Sequence, residues 1–391
     1  MRQRALARAS AALLVVCLHA ACDSPTGPDH RYRVPEQTSD GWQTASVASV
    51  GMEPRPLEDL LDLVARTPKH LLHGLLIVRD GKLVFEEYWP GVDLDPVTLD
   101  FVEKDFDRET LHYVASVSKS ITSALAGIAW DRGLIGSVQD SVFSYFPEHQ
   151  DLRSEAKARI TLEHLLSFSS GYDWNEHVYG FDDPRDSHYQ MFRAADPARY
   201  LLGRPLVSAP GAAFFYNSGD TNLLGEVIRR TSSSETLVDF AEECLFGPLG
   251  IERFEWVRFG PAGKMTFASG GASLRPRDMA RLGVLYLNGG SWQGRQIVSR
   301  AWVDASTEMS VPLVGEYRTL YGYGYNWWLG RSPFRGGHAE YFRASGWGEQ
   351  FIYVYPELNL VVVFTAGAYY ESSPLSINDL IEDYILAAIT R

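Results

Sequence analysis

Cysteine is scarce in this sequence, which has three (Cys17, Cys22 and Cys244) among 391 residues. So few cysteines exclude a framework of several disulfides, and a chain of this length with 45% hydrophobic residues can bury a core without one. Paired-cysteine motifs and H-E-x-x-H are missing as well, and the His70–His73 pair has no acidic partner in its segment. We therefore expect no metal site and no cofactor.

Positive charge is also in short supply. The chain has 36 Lys and Arg against 49 Asp and Glu, a formal net charge of −13, and it contains no basic run. Such a chain has little electrostatic attraction for DNA, RNA or an anionic membrane surface. We expect a small-molecule partner and no nucleic acid, and the sequence leaves the oligomeric state open.

The apolar run near the start of the chain, residues 11–18, is too short to span a bilayer. Three arginines precede it, which is the pattern of an export signal over residues 1–22. The signal ends in LHAAC, which resembles a bacterial lipobox with Cys22 as the lipidated residue. The match is imperfect, because His19 stands where an aliphatic residue is usual. Simple secretion without a lipid anchor is the alternative. We expect an exported, periplasmic or cell-surface protein that contacts the membrane only through this anchor. The polar, aperiodic residues 23–55 predict a flexible tether.

Apolar periodicity divides the rest of the chain into three parts. Residues 56–115 combine a helical pattern with two strand-like runs joined by Asp80-Gly81, and residues 264–391 are rich in strands and end in a helix. Residues 116–263 are mostly helical in pattern. The sequence therefore predicts an α/β (α+β) fold: one antiparallel sheet from both chain ends, flanked by the N- and C-terminal helices. A mostly helical lobe is inserted, and a catalytic cleft is expected between the lobes.

Lysine is rare, with six residues against thirty arginines, and one of the six follows a serine at the head of an apolar helix. In YVASVSKSITSALAGIAWDRG, Ser116 and Lys119 are three positions apart and so share a helix face. Apolar neighbours desolvate the amine, which lowers its pKa and lets it accept a proton from a serine nucleophile. A second S-x-x-K, Ser154 to Lys157, lies among charged residues and predicts a solvated surface.

Five segments in order carry a wider pattern: SVSK at 116–119, ITLEHLLSFSSG at 160–171, PGAAFFYNSGDTNLLGEVI at 210–228, GGASLRPRDMARLGVLYLNGG at 270–290 and RASGWGEQFIYVYPELNLVVV at 343–363. Together they resemble the serine hydrolases of the class C β-lactamase and penicillin-binding protein superfamily, which includes EstB-type esterases and 6-aminohexanoate-oligomer hydrolases. The resemblance implies a β-lactamase/transpeptidase-like fold, with Ser116 as nucleophile and Lys119 and Tyr216 as its proton-transfer partners. Which of these two is the acylation base stays open.

The third motif of that superfamily matches Ser345 and Gly346. The resemblance implies that the backbone N–H groups of Ser116 and Trp347 form an oxyanion hole, and that Ser345, Gly346 and Ser218 contact substrate. Two residues depart from the pattern. Ala344 stands where penicillin-recognising members usually carry Lys and other branches often carry His, and Ser218 stands where Asn is usual. The lost cation argues against substrates that bear a carboxylate.

Aromatic residues are expected to rim the cleft, and these are Tyr172, Trp174, Tyr325, Trp327 and Trp347, with Trp174 in contact with substrate. The sequence thus favours a serine hydrolase that forms an acyl-enzyme with an ester or linear amide bearing an uncharged acyl group. The first alternative is a β-lactamase or D-Ala-D-Ala peptidase, and the second is a catalytically decayed surface binding module. A Ser-His-Asp hydrolase is disfavoured because no G-x-S-x-G occurs.

Overall fold

The computed structural model describes residues 31–176, 178–180, 182–313 and 319–390. The predicted export signal and Cys22 lie outside the described residues, and both stay predictions. Within the described ranges, no helix has the length and apolar character needed to cross a membrane.

An eight-stranded antiparallel sheet forms the centre of the protein, in the order β12-β13-β14-β15-β16-β17-β1-β2. β1 and β2 come from the N-terminal part of the chain, and β12 to β17 come from its C-terminal part, as predicted. The eight strands are β1 (Leu72–Arg79), β2 (Lys82–Tyr88), β12 (Val311–Pro312), β13 (Leu320–Tyr323), β14 (Trp328–Phe334), β15 (Gly337–Gly346), β16 (Gln350–Tyr355) and β17 (Leu360–Ala366).

Tight turns set the register of this sheet. Asp80 and Gly81 join β1 to β2 with φ of 51° and 73°, the left-handed conformation that a two-residue hairpin turn requires. β1 also pairs with β17, so strands from the two ends of the chain are neighbours inside the sheet, one strand away from its β2 edge. The Asp80-Gly81 hairpin is therefore confirmed.

Helices cover both faces of the sheet. The N-terminal helix α1 (Pro54–Arg66) and the C-terminal α11 (Ile377–Leu380), continued by a π-helical turn Ile381–Leu386, pack on one face through buried Leu, Ile and Val side chains. On the other face α9 (Pro276–Leu287) lies so close that a methyl group on Gly283 would be 2.5 Å from Val361. The predicted fold class, a mixed α/β protein with one large antiparallel sheet, is confirmed.

The region between β2 and α9 is mainly helical but includes small strands. Its longest helices, α2 (Val117–Asp131) and α6 (Ser218–Thr231), are buried and pack against each other. The shorter helices are α3 (Leu162–Leu166), α4 (Ser187–Arg193), α5 (Pro197–Gly203), α7 (Leu237–Ala241) and α8 (Gly247–Leu249), and α10 (Arg300–Ser306) follows α9. The small strands of this region are β3 (Gly91–Leu94), β4 (Phe101–Lys104), β5 (His112–Tyr113), β6 (Phe254–Trp256), β7 (Arg258–Phe259), β8 (Met265–Thr266) and β9 (Ala272–Leu274). Two further short strands, β10 (Ser291–Trp292) and β11 (Arg295–Gln296), follow α9.

Residues 31–53 differ from the flexible tether expected over 23–55. Trp42 is 2% exposed and its ring packs edge-on against Trp292 at 5.4 Å. Asp40 accepts a 2.8 Å hydrogen bond from the buried Arg277 of α9, which also pairs with Glu86 of β2. This part of the predicted tether is packed onto the body because several of its few apolar residues, including Trp42 and Val47, are buried in the core. These residues are too sparse to form a periodic pattern in the sequence.

Replacing Trp42 by Ala should lower the free energy of unfolding by about 3–5 kcal/mol, because it empties a large buried site. Urea unfolding followed by circular dichroism measures the change. Val34→Ala is the matched control, since Val34 lies in the same segment but is half exposed. Equal stability of the two variants would show that the segment is not part of the folded core.

Candidate active site

A strained turn presents Ser116 at the start of α2. Ala115, just before it, has φ of 46°, a conformation that non-glycine residues seldom adopt. The carbonyl of Ala115 accepts hydrogen bonds from the N–H of Ser118 (3.1 Å) and from its hydroxyl (2.7 Å), which hold the turn. Backbone strain of this kind persists where the surrounding structure fixes it, and is common at functional sites.

Lys119 lies one helical turn after Ser116 and is 2% exposed. Its Nζ donates hydrogen bonds to Ser116 Oγ at 2.8 Å and to the carbonyl of Ser269 at 2.7 Å. Burial lowers the pKa of Lys119 to about 8, and the Glu176 carboxylate opposes that shift. The amine is therefore held against the serine hydroxyl and can lose its proton near neutral pH.

The carbonyl that binds Lys119 is itself fixed by α2 and α6. Thr122 Oγ1 donates to the carbonyl of Ala268 at 2.9 Å. Asn222 of α6 accepts from the N–H of Ser269 (3.2 Å) and donates to its Oγ (3.0 Å). Two helices thus define the position of the lysine amine.

Tyr216 completes the cluster from the segment before α6. Its ring lies 4.8 Å from Lys119 Nζ and stacks at 5.9 Å on Trp328, and its hydroxyl hydrogen-bonds to the Ser116 side chain. Burial and the Glu176 carboxylate raise the pKa of Tyr216 well above its usual value. A phenol beside an ammonium is expected to have a lowered pKa, but here desolvation outweighs that attraction, so the hydroxyl stays protonated.

The end of β15 forms the opposite wall. A methyl group on Gly346 would lie 2.3 Å from the carbonyl oxygen of Val114, two residues before Ser116, so only glycine lets the strand approach the nucleophile turn. Ser345 Oγ is buried and has no hydrogen-bond partner among the described residues. The Trp347 ring packs edge-on against Tyr369 at 5.2 Å.

These walls enclose a cleft of about 550 Å³. Glu176 is the one acidic side chain among the described lining residues, and none of them is Arg or Lys. The lining residues are Tyr113, Ala115, Ser116, Glu176, Tyr179, Gly180, His188, Tyr216, Ser218, Phe267, Ser269, Gly270, Trp328, Ser345, Gly346, Trp347, Tyr369 and Tyr370. The structure therefore brings Ser116, Tyr216, Ser218, Ser345, Gly346 and Trp347 to one cavity, with Lys119 directly behind the serine.

The sequence analysis missed Glu176. Its side chain is 4% exposed, and its Oε2 accepts hydrogen bonds from Trp174 Nε1 at 2.6 Å and from the N–H of Ser218 at 3.2 Å. It lies in a loop with no motif of its own. The available signal was its position two residues after Trp174 in YDWNE.

The prediction that five aromatic residues rim the cleft is wrong for four of them. Trp174 lies behind the wall, where it supports Glu176 instead of contacting substrate, and Tyr172, Tyr325 and Trp327 are core residues. Of the five, Trp347 alone lines the cavity. Trp328 takes the place expected for Trp327, because neighbouring residues at the start of a strand point to opposite faces.

Neither nearby arginine replaces the cation missing at Ala344. Arg343 lies over the rings of Phe351 and Tyr353, at 4.9 and 5.1 Å, on the opposite side of β15. Arg335 donates to the carbonyl of Ile389 at 3.0 Å. The second S-x-x-K also differs from the first, since Lys157 Nζ donates to the Leu202 carbonyl and not to its serine.

The sequence matches the family described as Beta-lactamase over residues 69–384, and the chain belongs to this family. The class expected from the motifs is thereby confirmed. One curated relative is the 6-aminohexanoate-dimer hydrolase of Paenarthrobacter ureafaciens, 26% identical over 63% of this chain and 59% of its own length. Another is a D-aminopeptidase of Brucella anthropi, 28% identical over 46% of this chain and 32% of its own.

The chain thus matches less than two thirds of the length of either curated relative. Among solved structures, a family VIII carboxylesterase superposes with a TM-score of 0.64, covering 85% of this chain and 96% of the other at 17% identity. That similarity supports the fold.

Gly346→Ala should lower the free energy of unfolding by about 1–3 kcal/mol, because the new methyl group meets the Val114 backbone and overpacks the cleft wall. Gly203→Ala is the matched control, since no atom lies within 4 Å of its added methyl group. Urea titration of both variants tests the contact. A Gly346→Ala protein as stable as the control would contradict the close approach of β15 to the nucleophile turn.

Proposed function

We propose that the protein is a serine hydrolase that forms an acyl-enzyme with an ester or linear amide bearing an uncharged acyl group. The observation that carries the proposal is the convergence of two side chains, Lys119 and Tyr216, on the hydroxyl of Ser116. Lys119 Nζ lies 2.8 Å from Ser116 Oγ, and the Tyr216 hydroxyl bonds to the same serine. A serine needs such an adjacent base to become a nucleophile.

In this mechanism Lys119 is the acylation base. Its lowered pKa gives a neutral fraction near pH 8, and in that form Nζ accepts the proton from Ser116 Oγ over the same 2.8 Å contact. The raised pKa of Tyr216 argues against a resting tyrosinate. The protonated phenol instead relays a proton to the leaving alcohol or amine, and water then hydrolyses the acyl-enzyme.

The backbone N–H groups of Ser116 and Trp347 are proposed to stabilise the oxyanion of the tetrahedral intermediate. Both residues line the cleft, and Ser116 lies at the N-terminus of α2, where backbone dipoles favour negative charge. The buried Oγ of Ser345 lacks a partner among the described residues, and this supports its proposed contact with a polar atom of the substrate. Ser218 and Gly346 shape the cavity beside it.

The charges of the cleft support the choice of substrate class. No Arg or Lys lines the described part of the cavity, so a substrate carboxylate would find no cation there. This disfavours β-lactams and D-Ala-D-Ala peptides, the first alternative. The relative named as a 6-aminohexanoate-dimer hydrolase supports the proposed class, and the structural neighbour named as a family VIII carboxylesterase is compatible with it.

Ser116→Ala should reduce turnover of p-nitrophenyl butyrate by at least about a thousandfold, because it removes the nucleophile. Ser154→Ala, in the second S-x-x-K, is the matched control and should retain full activity. A fluorophosphonate probe should label the wild type and not the Ser116 variant. Unchanged turnover in a folded Ser116→Ala protein would refute the mechanism, and an unlabelled wild type would favour the decayed binding module.

The kcat/KM of the wild type should rise with pH by about tenfold per unit and level off above about pH 8, because Lys119 must be neutral to act as base. Glu176→Gln should move the midpoint to lower pH, since the carboxylate holds the pKa of Lys119 up. Glu252→Gln, on the surface, is the control and should leave the midpoint in place. A flat profile between pH 6 and 9 would exclude Lys119 as the base.

A further inference from the structure

The β3–β4 hairpin is docked against the wall of the cleft. Asp93 of β3 is fully buried and accepts a 2.7 Å hydrogen bond from the hydroxyl of Tyr369, a cleft-lining residue. Lys104 of β4 donates to the other oxygen of Asp93 at 2.9 Å. Leu94 packs with Tyr113 and Ala115 beside the nucleophile turn. The hairpin is therefore held in a fixed position at the mouth of the site.

Aromatic rings continue from the cleft onto this hairpin. Trp347 contacts Tyr370 at 5.0 Å between ring centroids, and Tyr370 contacts Phe101 of β4 at 5.7 Å. Phe101 also lies 6.1 Å from Tyr369. We call the surface formed by Trp347, Tyr369, Tyr370 and Phe101 the aromatic shelf.

The outer part of the aromatic shelf is exposed. Phe101 is 49% and Tyr370 is 74% exposed, and Leu99, two residues before Phe101, is 47% exposed. Contiguous apolar surface in water is unfavourable, and where it is retained beside a cavity it marks a binding surface. Because the shelf begins at Trp347 inside the cleft, a molecule bound at Ser116 can extend along the shelf without a break.

We propose that the aromatic shelf binds an apolar tail of the substrate that extends out of the cleft, so that the preferred substrates are esters or amides with a medium or long hydrocarbon chain. This inference rests on the proposed hydrolase function and names its substrate class. The shelf has two aromatic steps of 5.0 and 5.7 Å, enough to cover a chain of several carbons. The chain is bound by burial of its surface against the rings.

The test compares ethyl octanoate, octyl acetate and ethyl acetate as substrates for the wild type, Phe101→Ser, Phe101→Leu and the control Val207→Ser. Val207 is an exposed apolar residue in the loop after α5. The two eight-carbon esters carry the same chain on opposite sides of the ester bond, so the larger effect identifies the side that meets the shelf. Titration of released acid gives kcat/KM, and thermal unfolding checks that each variant is folded.

The measured quantity is kcat/KM for an eight-carbon ester divided by kcat/KM for ethyl acetate. Phe101→Ser should lower this ratio by about tenfold for at least one of the two eight-carbon esters, because the loss of methylene contacts in an apolar pocket has an effect of this size. Phe101→Leu should keep most of the ratio, and Val207→Ser should not change it. An unchanged ratio in folded Phe101→Ser overturns the proposal. The proposal is also overturned if Phe101→Ser changes only how the protein sediments with phosphatidylglycerol vesicles. That result would identify the shelf as a membrane-binding surface.

Binding in a Ser116→Ala background separates this proposal from the catalytic one. Calorimetric titration with octyl acetate and ethyl octanoate should show weaker binding of one ester when Phe101→Ser is added, whether or not Ser116 is the nucleophile. Equal affinities with and without the Phe101 change overturn the tail site alone. If Ser116→Ala does not reduce turnover, the hydrolase mechanism is overturned and the tail site is not.

Discussion

The burial of one lysine amine against one serine hydroxyl is the constraint on which the site depends. An ammonium that is 2% exposed loses its hydration, and two hydrogen bonds, to the Ser116 hydroxyl and the Ser269 carbonyl, and the face of the Tyr216 ring replace part of it. This environment favours the neutral amine and so lowers the pKa of Lys119. The desolvation that destabilises the charged lysine therefore also makes it a base. Tyr216 responds to the same environment in the opposite direction and keeps its proton.

The fold holds this unfavourable arrangement in place. The short strand β5 leads into the strained turn before Ser116, α2 and α6 pack together behind that turn, and Asn222 fixes the loop that carries the Ser269 carbonyl. Gly346 permits β15 to close the other side. Because strand, helix pair and loop come from distant parts of the chain, the site exists only when these segments are packed together.

Several parts of this arrangement could be predicted from local sequence. The Asp80-Gly81 turn is a short-range pattern. The Ser116–Lys119 spacing is also short-range, and its apolar neighbours distinguish it from the charged surroundings of Ser154 and Lys157. Glu176 and the packed residues near Trp42 could not be predicted, because their roles come from contacts made at long range by segments without periodicity. The choice of Trp327 over Trp328 failed for another reason: one residue of register moves a side chain from the cleft to the core.

The central claim is that a substantial fraction of Lys119 amines is neutral near pH 8. Lysine-selective ¹³C NMR tests this most directly, because it follows the protonation of each lysine amine as the pH changes. Only six lysines are present, so each ε-carbon resonance can be assigned by Lys→Arg replacement. Our account predicts that the Lys119 resonance titrates with a pKa of about 8. Titration of Lys119 together with an exposed lysine, near the ordinary value of about 10.4, would contradict it.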